Sequence, residues 1–163
     1  MVILGIDPSL ASSGWAILQK TGDNYKYLAS GTFTTKPKQD TLDRLNTIRI
    51  NFEILLQTHK PQVIIIEENY ISINPQGSIK LALARGVILS VMLNYKSNAK
   101  LDVLLHQTTP AFVKKAITGS GAADKTQVEK MIKIIIPQLN NAPALTNDET
   151  DAIAIALVPF TAS

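Results

Sequence analysis

The chain opens with VILGID at residues 2–7, an uninterrupted apolar run that ends in an acid. Such a run is typical of a strand that is buried on both faces of a sheet. The sequence WAILQ at residues 15–19 predicts a second strand. The turn residues TGDN at 21–24 lead from it into a third strand at 25–33, which has one wetter face. The first three strands are therefore predicted to form a meander.

Beyond the meander, the periodicity of the apolar residues changes. Apolar residues spaced by three and four between Leu42 and Leu56 predict an amphipathic helix. The elements predicted after it are a strand at 62–67, a helix at about 76–94, a strand at 101–105, a short helix at 110–117, a helix that ends at Pro137, and a last helix at about 147–157. This order predicts a single α/β domain over residues 1–163, with a mixed five-stranded sheet flanked by helices on both faces.

Composition narrows the chemistry that is available to the chain. Its 163 residues include no cysteine and only two histidines, His59 and His106. Disulfides, thiolate zinc sites, cysteine nucleophiles and histidine-rich metal sites are thereby excluded. No stretch reaches the roughly 18 uninterrupted apolar residues of a membrane helix, and the amino terminus runs straight into the first strand. We therefore expect a cytoplasmic protein with no signal peptide and no membrane partner.

The net charge of +3 is unevenly distributed. Between Lys80 and Lys133 nine basic residues face three acids, whereas the last thirty residues hold three acids and no base. One interpretation is that the lysines are simply solvated. The other is that a polyanion binds the basic surface and a metal binds the acids, since these two ligands need opposite charges.

Four acids occupy positions from which they can converge. Asp7 and Glu67 each end an apolar strand, and in a parallel pair the carboxyl ends of strands lie side by side. Asp148 and Asp151 are three residues apart near the start of the last helix, so they share one of its faces. Four partly buried carboxylates need a compensating charge, and Mg²⁺ with oxygen ligands is the natural candidate.

Each of these acids also has a purely structural interpretation. Asp7 precedes Pro8 and can start a turn, while Asp148 and Asp151 can stabilise the amino end of a helix through its dipole. Glu67 can be the point at which a strand enters solvent. The metal hypothesis therefore depends on the convergence of all four acids and not on any single one.

An ordered set of motifs over residues 1–158 resembles the RuvC-type Holliday junction resolvases. The matching motifs are Gly5-Ile6-Asp7-Pro8-Ser9 with Gly14, Ile66-Glu67, Lys80-Leu81-xx-Ala84-Arg85-Gly86, Pro110-xx-Val113-Lys114, Lys125-xx-Val128, and Asp148-xx-Asp151-Ala152-xx-Ala154-Ile155-Ala156. The resemblance implies a ribonuclease H-like fold. It also implies a homodimer that nicks two like-polarity strands of a four-way DNA junction and leaves 5′-phosphate ends.

The resemblance also implies roles for individual residues. Asp7, Glu67, Asp148 and Asp151 correspond to the acid tetrad that binds two Mg²⁺ ions, with Mn²⁺ as a substitute. Lys114 and Lys125 correspond to lysines beside the scissile phosphate, where they would offset charge on its oxygens. His106 lies outside the matched motifs, and we expect no catalytic role for it.

The expected DNA contacts are less specific. They are Tyr70, Lys80, Arg85, Lys115, Gly119, Ser120 and Gly121. Tyr70 stands where the family often has an aromatic residue that packs against a base, although ordinary loop packing explains it equally well. The Gly119–Gly121 segment either holds a phosphate on its backbone N–H groups or ends a helix with a glycine. The apolar helix near residues 78–93 is either core or a dimer face, and the resemblance favours the dimer face.

Several functional alternatives remain. An ATP-binding protein of the sugar-kinase and actin-like class has a similar first loop, but it needs two related domains and far more residues. A nuclease of the same fold could instead act on flap DNA, three-way DNA or structured RNA, and a non-catalytic junction-binding module is the third rival. Many cellular members carry a basic tail after the last helix, which this sequence lacks. Both a partnership with the branch-migration motor and a phage or other mobile-element origin therefore stay open.

Overall fold

A computed structural model of the chain describes residues 1–68 and 75–160. Its strands are β1 (Val2–Asp7), β2 (Ser12–Thr21), β3 (Asn24–Thr34), β4 (Val63–Glu67) and β5 (Leu104–Thr108). Its helices are α1 (Thr41–His59), α2 (Pro75–Asn98), α3 (Pro110–Thr118), α4 (Lys125–Ile135) and α5 (Asn147–Ala156), with a short 3₁₀ helix at Pro137–Asn141.

The five strands form one mixed sheet in the order β3-β2-β1-β4-β5. The strands β1, β2 and β3 are antiparallel neighbours, which confirms the predicted meander. The strand β4 lies parallel to β1, with Ile66 beside Ile6, and β5 lies parallel to β4. The carboxyl ends of β1, β4 and β5 therefore meet at one edge of the sheet, as parallel pairing requires.

The position predicted for the fifth strand was wrong by three residues. The apolar run at 101–105 suggested a strand there, but β5 begins at Leu104, which pairs with Val63. The ladder continues until Thr108 lies opposite Glu67, so His106 is inside the strand and not after it. An edge strand is only half-buried, so hydrophobicity does not determine its register, and pairing with β4 does.

Helices cover both faces of the sheet, as predicted. Leu4 and Ile64 belong to a core layer under α1 and α2, whereas Ile3 and Ile65 belong to a second layer under α3, α4 and α5. Successive residues of a strand point to opposite faces. Asp7 and Glu67 continue the odd-numbered series and therefore lie on the side of α5.

Two glycines set the distance between α5 and the sheet. A Cβ atom on Gly5 would lie 2.2 Å from the carbonyl oxygen of Ala152, and one on Gly14 would lie 2.2 Å from the carbonyl oxygen of Asp148. Only glycine allows a backbone to approach this closely. The first two turns of α5 therefore rest directly on β2 and β1.

Candidate active site

Asp7 is a partly buried acid at the edge of the sheet. It ends β1, where it pairs with Gly14 of β2. The pKa of Asp7 is raised to about 7, chiefly by burial and then by the negative charges of Asp151 and Asp148, while the positive charge of Lys125 acts in the opposite direction. Asp7 therefore lies within electrostatic reach of both acids of α5.

Glu67 ends the neighbouring strand and belongs to the same cluster. The pKa of Glu67 is also raised to about 7, chiefly by burial and then by the charges of Asp7 and Asp151. The positive charges of Lys114 and Lys125 oppose that increase. The structure thus brings the four predicted carboxylates and the two predicted lysines into one region.

Asp148 is held by a residue that the sequence analysis did not single out. The Ser12 hydroxyl, at the start of β2, donates a hydrogen bond of 2.5 Å to Oδ2 of Asp148. The two residues are 136 positions apart, so no local sequence pattern indicates the contact. Folding of α5 onto β2 is what creates it.

Asp151 is paired with one of the predicted lysines. Nζ of Lys125, at the start of α4, lies 3.0 Å from Oδ2 of Asp151. The hydrogen bond and the charge of Asp151 raise the pKa of Lys125. The lysine side chain is 71% exposed, so the pair adds little to the stability of the fold.

The neighbouring Glu149 has a structural role at the start of α5. Its carboxylate accepts hydrogen bonds from the backbone N–H and the hydroxyl of Thr146, both at 2.9 Å, and another of 2.8 Å from Ser30 of β3. Burial alone would raise the pKa of Glu149, but these hydrogen bonds outweigh it and lower the pKa. Glu149 therefore caps α5 and fixes it to the sheet.

The donor set of the acid cluster fits a hard divalent cation. Carboxylate oxygens are the ligands that Mg²⁺ and Mn²⁺ prefer, and the pKa values of Asp7 and Glu67 are raised first by burial and then by the charges of neighbouring acids. Within residues 1–68 and 75–160, no three acid or histidine side chains stand in an arrangement that could hold a metal ion, so the four acids fit a cation by their chemistry and would have to draw together around it. One carboxylate oxygen of Asp151 is engaged by Lys125, so a cation must compete with that lysine.

A cleft of about 470 Å³ opens beside the acids. Its lining includes Glu67, Asp151, Lys114 and Lys125, together with apolar residues such as Val128. Acids and lysines that line one cleft can act together on a phosphodiester. The acids would act through a bound cation, and the lysines would act directly on the phosphate oxygens.

Arg85 contacts the end of the strand that carries Glu67. Its Nε donates a hydrogen bond of 3.3 Å to the carbonyl oxygen of Glu67, and its Nη2 donates to the side chain of Gln107 in β5. Arg85 was predicted to contact DNA, but in the structure its half-buried guanidinium links the ends of β4 and β5. Sequence reasoning missed this contact because it joins residues of three separate elements.

The other predicted DNA contacts lie at the surface or outside the described residues. Lys80 and Lys115 are exposed on α2 and α3. Gly119 has a φ of 80° and ends α3 through its N–H bond to Lys115, as a C-cap glycine does. The N–H of Ser120 is engaged by the Thr118 hydroxyl, so two amides of this segment already have partners inside the chain. Tyr70 lies outside the described residues.

The order of the motifs is shared with a known family. The family model of crossover junction endodeoxyribonuclease RuvC matches residues 3–159. This chain belongs to the RuvC family. Two curated RuvC relatives, from Rickettsia bellii and Rickettsia felis, are 40% and 41% identical to it over 157 residues, which are 96% of this chain and 94–95% of theirs.

Two solved structures share the fold of this chain. The structure of Thermus thermophilus RuvC in complex with a Holliday junction substrate matches this chain with a TM-score of 0.85 and 26% identity. The match covers 97% of this chain and 92% of the T. thermophilus chain. The structure of the yeast mitochondrial Holliday junction resolvase Ydc2 matches it with a TM-score of 0.69, over 95% of this chain and 77% of the Ydc2 chain. At 14% identity the second comparison shows the fold alone. This RuvC-family chain therefore has the predicted ribonuclease H-like α/β fold.

Proposed function

We propose that this RuvC-family chain is a Holliday junction resolvase, a divalent-metal-dependent endodeoxyribonuclease that nicks four-way DNA junctions. The observation that carries the proposal is the cluster of Asp7, Glu67, Asp148 and Asp151 beside two lysines at one edge of the sheet. Its support from known proteins is the RuvC family match and the likeness to a RuvC that was solved with a Holliday junction.

In this proposal the four acids hold two divalent ions, Mg²⁺ or Mn²⁺. When bound, such ions supply Lewis acidity, which activates the attacking water and stabilises the leaving 3′ oxygen. Their positive charge also offsets the repulsion that contributes to the raised pKa values of Asp7 and Glu67, both about 7. Both carboxyl groups then lose their protons and act as anionic ligands at neutral pH.

The two lysines act on the phosphate oxygens and not on the cations. Lys114 and Lys125 line the cleft with Glu67 and Asp151, so they can contact the oxygens of a phosphate that lies against the acids. Negative charge builds on those oxygens during in-line attack by water, and a fixed ammonium stabilises it. Hydrolysis adds water across the phosphodiester and yields a 3′ hydroxyl and a 5′ phosphate.

A homodimer would match two such sites to a two-fold junction. The face of α2 that points away from the sheet carries an apolar stripe at helical spacing, with Ile79 60% exposed, Leu83 43% exposed and Leu93 58% exposed. Gly86 lies between them and is open around its Cα. We infer that this stripe packs on the same stripe of a second protomer, as isologous interfaces do.

The same helix could also be considered as a membrane span. Among the residues that the structure describes, α2 is long and apolar enough to cross a bilayer, and most of its length is not buried in the protein. One helix of this kind is weak support for a membrane. The RuvC relatives are named as DNA endonucleases, so we assign the stripe to a protein partner and place the enzyme with cellular DNA in the cytoplasm.

The direct test is a cleavage panel. End-labelled four-way junction, three-way junction, flap and linear duplex DNA are incubated with the protein and Mg²⁺ or Mn²⁺. We expect paired, symmetric nicks in the four-way junction that can be sealed by ligase. Cleavage of all branched substrates at equal rates would instead indicate a nuclease of broader specificity. Asp7→Asn is the matched control, which should bind the junction without cutting it.

A further inference from the structure

Ser12 is placed to control one acid of the cluster. It begins β2, and its hydroxyl donates a 2.5 Å hydrogen bond to Oδ2 of Asp148. A carboxylate is planar and has two oxygens. Because the bond from Ser12 fixes Oδ2, it also limits the positions that Oδ1 can take.

The backbone of Asp148 is fixed from the same strand. Gly14 lies two residues after Ser12, on the same face of β2, and its Cα approaches the carbonyl of Asp148 so closely that a Cβ would overlap it. The strand β2 therefore determines both where the backbone of Asp148 lies and how its carboxylate is turned.

The carboxylate held in this way acts on the centre of the cluster. Gly14, which packs on the backbone of Asp148, pairs with Asp7 at the end of the neighbouring strand. The bond from Ser12 thus holds Asp148 within electrostatic reach of Asp7. A side chain turned out into solvent would have its charge screened.

We propose that Ser12 is a positioning residue that orients Asp148 for binding a divalent cation. The inference deepens the proposed function and rests on its metal site. Hydrogen bonds that orient ligand side chains commonly change metal affinity by about 10- to 100-fold when they are removed. Ser12 itself touches neither DNA nor the reacting atoms in this proposal.

The chain offers a matched control for this serine. Ser30 of β3 donates a 2.8 Å hydrogen bond to Glu149, the residue that follows Asp148 on α5. It is also a bond from a serine of the sheet to a carboxylate of the same helix turn. Removing it tests whether the attachment of α5 matters in general, without touching the four acids.

The experiment measures binding of Mn²⁺ to the DNA-free protein by electron paramagnetic resonance of the free ion. The variants are Ser12→Ala, Ser12→Thr, Ser12→Val and Ser30→Ala, each checked for folding by thermal denaturation. We expect Ser12→Ala and Ser12→Val to weaken Mn²⁺ binding about 10-fold. Ser12→Thr, which keeps the hydroxyl at the shape of valine, and Ser30→Ala should bind like the unmodified protein.

Junction cleavage provides the second measurement. Ser12→Ala should raise the Mg²⁺ concentration that gives the half-maximal cleavage rate. At saturating Mg²⁺, its cleavage rate should be reduced less than its affinity for Mg²⁺. Unchanged Mn²⁺ binding in Ser12→Ala, an equal loss in Ser30→Ala, or failure of Ser12→Thr to restore binding overturns the proposal. Because Mn²⁺ binding is measured without DNA, a protein that shows the Ser12 effect but cuts no junction contradicts the proposed function alone.

Discussion

Nζ of Lys125 lies 3.0 Å from Oδ2 of Asp151, so a cation of the chain itself already contacts the acid cluster. The same lysine acts on Asp7, whose pKa its charge lowers against the larger effect of burial. In the proposed enzyme, Lys125 therefore has two alternative anionic partners, Asp151 and a phosphate oxygen. Binding of a divalent ion at Asp151 favours the second partner.

Replacing Lys125 with methionine should separate these two roles. Lys125→Met removes the ammonium and keeps most of the apolar stem, so we expect junction cleavage to fall at least about 10-fold. Mn²⁺ binding without DNA should not weaken, and should strengthen a few-fold, because Asp151 loses its internal competitor. Single-turnover cleavage and Mn²⁺ titration provide the two readings.

Lys133→Met is the matched control for this prediction. Lys133 lies on the same helix and lines the same cleft, but its Nζ pairs with Glu129 at 2.6 Å and not with one of the four acids. It should leave Mn²⁺ binding unchanged. A loss of Mn²⁺ affinity in Lys125→Met would show that the lysine supports the metal site and does not compete with it.

The pH dependence of stability follows from Asp7. Its pKa is about 7 in the folded protein and near 3.8 in an unfolded chain, chiefly because of burial and then because of Asp151 and Asp148. Between these two values the folded state binds more protons than the unfolded state, so the free energy of unfolding falls as the pH rises from about 4 to about 7. Above that range this contribution is constant and unfavourable.

Asp7→Asn should therefore stabilise the metal-free protein at pH 8 and not at pH 4. We expect a gain of about 2 kcal/mol at pH 8, reduced from the full effect because the site is partly open to solvent. Thermal denaturation in EDTA at both pH values measures it. Asp23→Asn, in the exposed turn between β2 and β3, should show no such difference, and a gain in Asp7→Asn that is equal at both pH values would contradict burial as the cause.

The sequence predicted that the acids would converge because their placement follows from simple rules of strand pairing. Asp7 and Glu67 end apolar strands, and the parallel pairing of those strands brings their ends together. The contacts of Ser12 with Asp148 and of Arg85 with Glu67 could not be predicted in the same way, since each joins residues from elements that meet only after folding. The register of β5 was missed for a related reason, because pairing and not hydrophobicity decides it.

Arg85 gives a prediction that distinguishes a positioning role from a DNA contact. If its bonds to Glu67 and Gln107 hold the ends of β4 and β5 together, Arg85→Ala should lower the cleavage rate about 10-fold and raise the Mg²⁺ requirement. Gln107→Leu removes one partner while the arginine charge stays, and it should have the same effect in weaker form. Junction affinity in Ca²⁺ should change little in either variant.

Lys80→Ala provides the comparison on the same helix. Lys80 is exposed and has no bond to the acid-bearing strands among the contacts of the described residues. If Arg85→Ala weakens junction binding as much as Lys80→Ala does, and Gln107→Leu changes neither binding nor cleavage, then Arg85 is a DNA contact, as the sequence alone suggested.

The apolar stripe of α2 leads to a prediction about assembly. Leu83 is 43% exposed, and it lies one turn after Ile79 and ten residues before Leu93, both of which are more exposed still. A carboxylate at this position stays in water in a single protomer but is buried beside its symmetry mate in the proposed dimer. Burial of two like charges without partners is strongly unfavourable.

Leu83→Asp should therefore convert the protein from a dimer to a monomer of 17.7 kDa at micromolar concentration without unfolding it. Sedimentation equilibrium gives the mass, and thermal denaturation reports the fold. Leu42→Asp, which places the same charge on α1 at a leucine that is 75% exposed, should leave the dimer intact. Because two linked sites are needed to cut two strands together, Leu83→Asp should also make the paired nicks independent, so that nicked junctions accumulate. A monomeric unmodified protein, or a dimer that survives Leu83→Asp, would place the interface elsewhere.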